Sequence, residues 1–247
     1  MDQTQILNTV RAHLAGRLCC APEDFDRNGV VFAANTREPA PFLEICTMGS
    51  ATVVSASEPL LPRLKTLFAG KCRDEVFECP FVYGQTICYV PDVRRLNPLS
   101  LNGAYTYELL QGAEINRLQE IRGFENSLAF DENGKTPTCI VLCAKKGGEI
   151  IGLAGASDEA GNMWEVGVDV QSAHRRGGLA TALVSQLTVT ILKKGIVPFY
   201  SASVTNLGSQ GVASRSGYLP CWVSTYRTVL DGSSSYDALL RELKTKI

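Results

Sequence analysis

The sequence predicts a mixed α/β protein in which strands and helices alternate, and three observations carry that expectation. Trp164, Val166, Val168 and Val170 alternate with Glu165, Gly167 and Asp169, the period-two pattern of a strand with one apolar face. Beyond residues 171–178, Leu179, Leu183, Leu187 and Ile191 recur at helical spacing, with Ala180, Val184 and Val189 near the same side. The apolar runs 137–145 and 149–157 flank Lys146-Gly147-Gly148, whose glycine pair suits the tight turn of a hairpin.

The remaining elements follow in order. Ile6, Val10 and Leu14 predict an amphipathic helix ending at Gly16. Residues 30–34, 42–46 and 51–55 are short β-rich runs separated by Asn, Pro and Gly, and 59–68 predicts a helix with Leu60, Leu61, Leu64, Leu67 and Phe68 on one side. A strand pair over 75–81 and 85–90 would complete a small α/β unit in which no catalytic signature occurs. Residues 91–103 hold two prolines and a glycine without clear periodicity, which makes them the linker candidate between a domain over 1–100 and one over 104–247. Beyond the linker a strand over 105–110, a helix over 112–124, the hairpin and the strand at 164 are expected. A strand over 196–204, a short helix over 206–216, a strand over 219–229 and a helix over 237–244 close the chain.

Composition narrows the function. With 247 residues and a net charge of −1, the chain has ample core and is not built around non-specific nucleic-acid binding. No apolar run is long enough to span a bilayer, and Met1-Asp2-Gln3-Thr4-Gln5 is not the basic-then-apolar pattern of a signal peptide, so a soluble cytoplasmic protein without a membrane partner is expected. Nine cysteines, an odd number with several inside apolar runs, read as buried reduced thiols, Cys221 among them. None forms a paired Cys-x-x-Cys, and His13 and His174 supply no partners, so no metal is expected.

The chemistry concentrates in 171–181. A helix preceded by Gly177-Gly178 presents unpaired N–H groups and the positive end of its dipole, and Arg175 and Arg176 add donors that suit phosphate oxygens. Read alone, Gly-Gly fits equally a tight turn with two solvated arginines. Neither a Gly-x-x-x-x-Gly-Lys-Ser/Thr run nor a Gly-x-Gly-x-x-Gly run occurs there, which leaves a general nucleotide site without its motif.

Arg175-Arg176-Gly177-Gly178-Leu179-Ala180 resembles the Arg/Gln-x-x-Gly-x-Gly/Ala signature of the GNAT superfamily of acyl-CoA N-acyltransferases, in its strand-loop-helix setting. Asn206-Leu207-Gly208-Ser209 and Gly217-Tyr218 resemble the Asn-x-x-Ser…Gly-Phe/Tyr element that closes the same fold. The resemblance runs from about Tyr105 to the end. It implies a mixed, mostly antiparallel sheet flanked by helices, with a smaller N-terminal α/β domain beside it, and an enzyme that moves an acetyl group from acetyl-CoA to a primary amine of a small molecule or peptide by direct attack.

On that resemblance the pyrophosphate lies against Arg175, Arg176, Gly177, Gly178, Leu179, Ala180 and Thr181. The pantetheine arm runs along Val168, Asp169 and Val170 like an added strand, with Asn206 at the arm or capping its helix. An alkylamine with a pKa of about 10 needs a proton acceptor, for which Glu165 is the candidate and Asp169 a weaker one. Glu165 reads equally as a solvated strand residue. Glu108, on the first core strand, reads first as an exposed strand carboxylate and, on the resemblance, as a residue that could touch the acceptor. Many relatives protonate the thiolate with a tyrosine four residues after the motif serine, where this sequence has Ala213, which leaves Ser209, Tyr218, Tyr200 or no protein acid. His174 reads as a surface residue beside the loop, with no Ser or Cys nucleophile in an elbow nearby. The missing tyrosine keeps open a CoA-binding sensor or assembly module without turnover. A homodimer is also left open.

Overall fold

A computed structural model describes residues 1–79, 81–158 and 161–229, and the helix expected over 237–244 lies outside the described residues. In chain order the elements are α1 (Gln3–Leu18), β1 (Gly29–Ala34), β2 (Phe42–Met48), β3 (Ala51–Ala56), α2 (Leu61–Leu67), α3 (Arg73–Phe77), β4 (Thr86–Pro91), β5 (Thr106–Gln111), β6 (Thr138–Lys146), β7 (Glu149–Ser157), β8 (Met163–Val170), α4 (Leu179–Lys193), β9 (Val197–Ser203), α5 (Leu207–Arg215), β10 (Tyr218–Ser224) and β11 (Thr228–Val229). The chain forms two compact units, one of Met1–Val10 with Cys88–Pro220 and one of Arg11–Ile87 with Cys221–Ile247.

In the first unit the strands lie in the order β4-β9-β8-β7-β6-β5, antiparallel from β5 to β8 and parallel between β8 and β9. This is the mixed, mostly antiparallel sheet flanked by helices that the sequence predicts. Gly147 and Gly148, at φ +59° and +89°, turn the β6–β7 hairpin in the left-handed region that glycine favours. One side of the sheet packs against a 3₁₀ turn at Gly112–Leu118 and the chain after it, through Leu110, Ile115, Leu118, Phe124, Leu128, Val141, Cys143 and Leu153. The helix expected over 112–124 is thus only this turn.

The segment 91–103 is bound to α4 rather than free. Ser185 Oγ accepts from Leu99 N at 3.1 Å, and Gln186 Nε2 donates to Leu99 O at 2.6 Å.

In the second unit β1 runs parallel to β3, and β2 pairs antiparallel with β3 and with the 222–224 end of β10. Leu43, Ile45, Val54, Leu64, Phe68 and Val76 form its core. Residues 73–77 are helical, not the expected strand, because the Glu75 carboxylate accepts from Cys72 N at 2.7 Å and caps the turn. The last strand is interrupted at 225–227, where Thr225 N donates to Ile45 O and its hydroxyl accepts from Ile45 N. The nine cysteines form no disulfide, and burial raises the Cys46 thiol to about 12 and that of Cys221 to about 11.

Candidate active site

The site begins where two parallel strands separate. β8 pairs with β9 only through Met163↔Val197, Trp164↔Pro198 and Glu165↔Phe199. From there both strands continue without pairing to each other, β8 to Val170 and β9 to Ser203. Strand backbone that has left its neighbour carries donors and acceptors suited to an extended ligand.

At the far end of β8 the chain turns into α4. Gln171 anchors the exit, its N–H donating to Ile151 O and its amide to Ile150 O, both at 2.9 Å. Arg175 folds back, donating from Nε to Val170 O at 2.8 Å. Arg176 stands at φ +65° and Gly178 at φ +80°, so the backbone curls immediately before the helix. No side chain caps α4, which leaves the first-turn N–H groups facing outward with the positive end of the dipole. Leu179 and Thr181 are buried, so this loop offers its backbone more than its side chains. Gly152 lets the helix come close, since a Cβ there would lie 3.1 Å from Leu179 and 3.3 Å from Leu183. His174 sits alongside, 3.5 Å from the Tyr105 hydroxyl.

The period of β8 sends its residues to opposite faces. Val170, beside Gly152, faces α4. Glu165, Gly167 and Asp169 face the other way. A Cβ at Gly167 would overlap the carbonyl oxygen of Asn126, and one at its cross-strand partner Gly155 would overlap that of Ser127. Asp169 fastens the same turn. Its Oδ2 accepts from Asn126 N and Ser127 N, both at 2.9 Å, and from Ser127 Oγ at 2.8 Å, while Oδ1 accepts from Asn126 Nδ2 at 2.6 Å. Its carboxylate is therefore engaged along both oxygens. Glu165 Oε1 accepts from the hydroxyl of Ser201, on β9 just past the separation. Glu108 stands with Lys145 and Arg117, whose hydrogen bonds hold its carboxyl below the usual range.

The hydroxyls divide into two sets. Ser209, in the first turn of α5, lies 2.7 Å from the Tyr200 hydroxyl, and burial pushes that phenol upward while the Ser209 bond pulls it back. Tyr218 is 1% exposed, its hydroxyl 2.7 Å from Thr188 Oγ1, and burial raises its pKa strongly. The structure thus brings Ser209 together with Tyr200 and leaves Tyr218 in the core. Asn206 caps α5, accepting from Ser209 N at 3.1 Å, and Ala213 is buried.

Residues 104–218 match the model of the acetyltransferase (GNAT) family. Over these residues the chain is similar to the GNAT acetyltransferases. The family is one of acyltransferases and generally draws on acetyl-CoA. Solved structures similar to the chain include a putative GNAT acetyltransferase from Novosphingobium aromaticivorans, at 14% identity and TM-score 0.42, covering 57% of this chain and 63% of that one. A GNAT acetyltransferase from Colwellia psychrerythraea is similar at 10% identity and TM-score 0.47, covering 70% and 75%. An aminoglycoside acetyltransferase from an uncultured soil sample, in complex with trehalose, is similar at 15% identity and TM-score 0.37, covering 47% and 90%. No curated protein matches the sequence.

Within residues 104–218, sequence reasoning passed over Asn126, Ser127 and Ser201, which lie far along the chain from the loop or on the next strand. Gly167 carried the one legible signal, since a mid-strand glycine marks a close approach. Among the described residues no helix is long and apolar enough to cross a membrane, and no group of three His, Cys, Asp or Glu stands close enough to hold a metal ion.

Proposed function

We propose that the GNAT domain is an N-acetyltransferase, moving an acetyl group from acetyl-CoA to a primary amine of a small molecule or peptide by direct attack. The observation that carries this reading is the end of β8–β9 pairing at Glu165 and Phe199, with the uncapped start of α4 at the far end of the opening. The pantetheine arm lies along Val168, Asp169 and Val170, and the pyrophosphate meets the N–H groups of Arg176 to Thr181. Arg175 stands at this mouth with its Nε donating to Val170 O. Residues 104–247 are assigned as the transferase domain, beside an N-terminal α/β domain over residues 1–100.

In this reading the amine nitrogen attacks the thioester carbonyl carbon, forming the C–N bond, and its proton passes to Glu165, directly or through a water. The C–S bond then breaks with its electron pair on sulfur. Ser201 orients the Glu165 carboxyl. Ser209, hydrogen-bonded to the Tyr200 phenol, donates to the departing thiolate in place of the tyrosine that Ala213 replaces. A CoA-binding module without turnover is the second reading, and Ala213 is what favours it.

The test compares thermal unfolding with acetyl-CoA, CoA, ATP and NAD, followed by thiol release from acetyl-CoA with a panel of amines. A ligand at ~100 times its dissociation constant adds about 2.7 kcal/mol to the native state, visible as a raised melting temperature. Stabilisation by CoA species alone together with amine-dependent thiol release is expected. Stabilisation without release by any amine would leave the binding module, and a response to ATP or NAD alone would overturn both.

A further inference from the structure

We propose that the Asn126–Ser127 turn, locked over β8 by Asp169, is the fixed wall against which the acceptor amine is positioned. The Asp169 side chain is then a positioning group for the acceptor, neither a base nor a ligand of the acyl donor, whose arm meets only the backbone of this strand. This rests on the transferase reading above.

The argument starts from the two faces of β8. An acyl donor lying between the separated ends of β8 and β9 is closed on one face by α4, which packs onto Gly152 and Val170. The amine therefore approaches from the other face, where Glu165 stands. The chain that covers this face next to Glu165 is the 126–127 turn, seated two residues along the strand at Gly167. Its seating is over-determined. Two glycines on neighbouring strands, Gly155 and Gly167, leave room for two successive carbonyls, and one carboxylate collects both backbone N–H groups and both side chains. Four hydrogen bonds to one charged group hold backbone far more rigidly than a surface turn requires. Ser127 is 4% exposed, and without the carboxylate its N–H and hydroxyl keep only Phe124 O, so the turn stays folded on itself but loses its tie to β8. Rigid placement of one reactant against a catalytic group is what converts binding into rate, and misplacement by about 1 Å costs up to ~100-fold.

Removing the acceptor atoms and removing only the charge should therefore differ. In Asp169→Asn the amide oxygen can take the three bonds of Oδ2, and the Asn126 side chain can turn its own oxygen toward the new NH₂ group. In Asp169→Ala nothing replaces them.

The experiment measures acetyl-CoA affinity by calorimetry and steady-state transfer to whichever amine of the panel the wild type acetylates, for both variants in the full chain. Asp169→Ala is expected to raise the amine KM about tenfold or more with the acetyl-CoA Kd within about twofold of wild type, and Asp169→Asn to restore the KM to within about threefold. Should Asp169→Ala not fold, Asn126→Ala removes a single bond from an exposed side chain, and a KM increase of about threefold is expected for it. Equal loss of kcat in Asp169→Ala and Asp169→Asn would overturn the proposal by making Asp169 the base. A parallel rise in the acetyl-CoA Kd would overturn it by making Asp169 a donor ligand, and an unchanged amine KM in all variants would remove the wall altogether. A wild type that acetylates no amine in the panel would overturn the transferase reading first, and a result confined to the variants would leave that reading intact.

Discussion

The two faces of β8 are built from one strand and do opposite things. On the face toward α4, Gly152 and Val170 meet the flexible ends of Leu179 and Leu183, and Tyr200 and Tyr218 sit buried with their hydroxyls paired. On the other, Glu165 meets a hydroxyl, Gly167 meets a backbone carbonyl and Asp169 meets a whole turn. The first face is tolerant because side chains can shift. The second is not tolerant at Gly167, because its neighbour there is main chain. Under the proposed transferase reading, a strand of period two would serve the donor from one face and the acceptor from the other.

The comparison can be broken most severely at Glu165. Glu165→Gln keeps the shape and the Ser201 contact but removes the proton acceptor, so thiol release should fall by about 10²–10⁴-fold with melting temperature and acetyl-CoA affinity unchanged. An activity within a few-fold of wild type would return Glu165 to an ordinary strand residue.

The glycines sharpen the contrast in stability. Gly167→Ala must displace the Asn126 backbone and should cost about 2–3 kcal/mol in urea unfolding, whereas Gly152→Ala displaces only methyl groups and should cost about 1 kcal/mol. Equal costs would mean that the two faces are equally rigid. Gly178→Ala meets open space, yet its φ of +80° makes a side chain strained, and a loss of about 1 kcal/mol is expected together with weaker acetyl-CoA binding in calorimetry.

The smallest effect lies in pH dependence on the α4 face. Burial holds the Tyr218 phenol above its unfolded value of about 10, so the folded protein keeps a proton that the unfolded chain releases. Its stabilising contribution is complete below that pH and is lost as pH rises beyond it. Alkaline melting curves of Tyr218→Phe should therefore fall less steeply than wild type above about pH 10. Identical slopes would show that this phenol does not set the alkaline limit.

Much of this was legible in residues that are close in sequence. The alternation of 164–170 and the spacing of 179–191 report the local period directly, and Gly177-Gly178 reports a backbone that must curl before a helix. Gly167 announced that something would press on the strand without saying what. The misread stretches were those where a local contact outweighed propensity, as at 73–77, where one Glu75 carboxylate caps a turn that apolar residues alone would draw as a strand. At 91–103 proline and glycine suggest a linker, and what the pattern does not show is that Leu99 N donates to Ser185 Oγ and Leu99 O accepts from Gln186 Nε2.

The sequence by itself determined the strand-loop-helix unit, the glycine-rich start of α4 and the face of β8 that carries Glu165, because these depend on period and on backbone freedom over a few residues. Only the tertiary structure decided that β8 and β9 part at Glu165, that Tyr200 rather than Tyr218 meets Ser209, and that Asp169 holds Asn126 and Ser127. Each of those joins residues at least nine positions apart, and pairing over such separations is set by how strands register and helices pack, which no local pattern encodes.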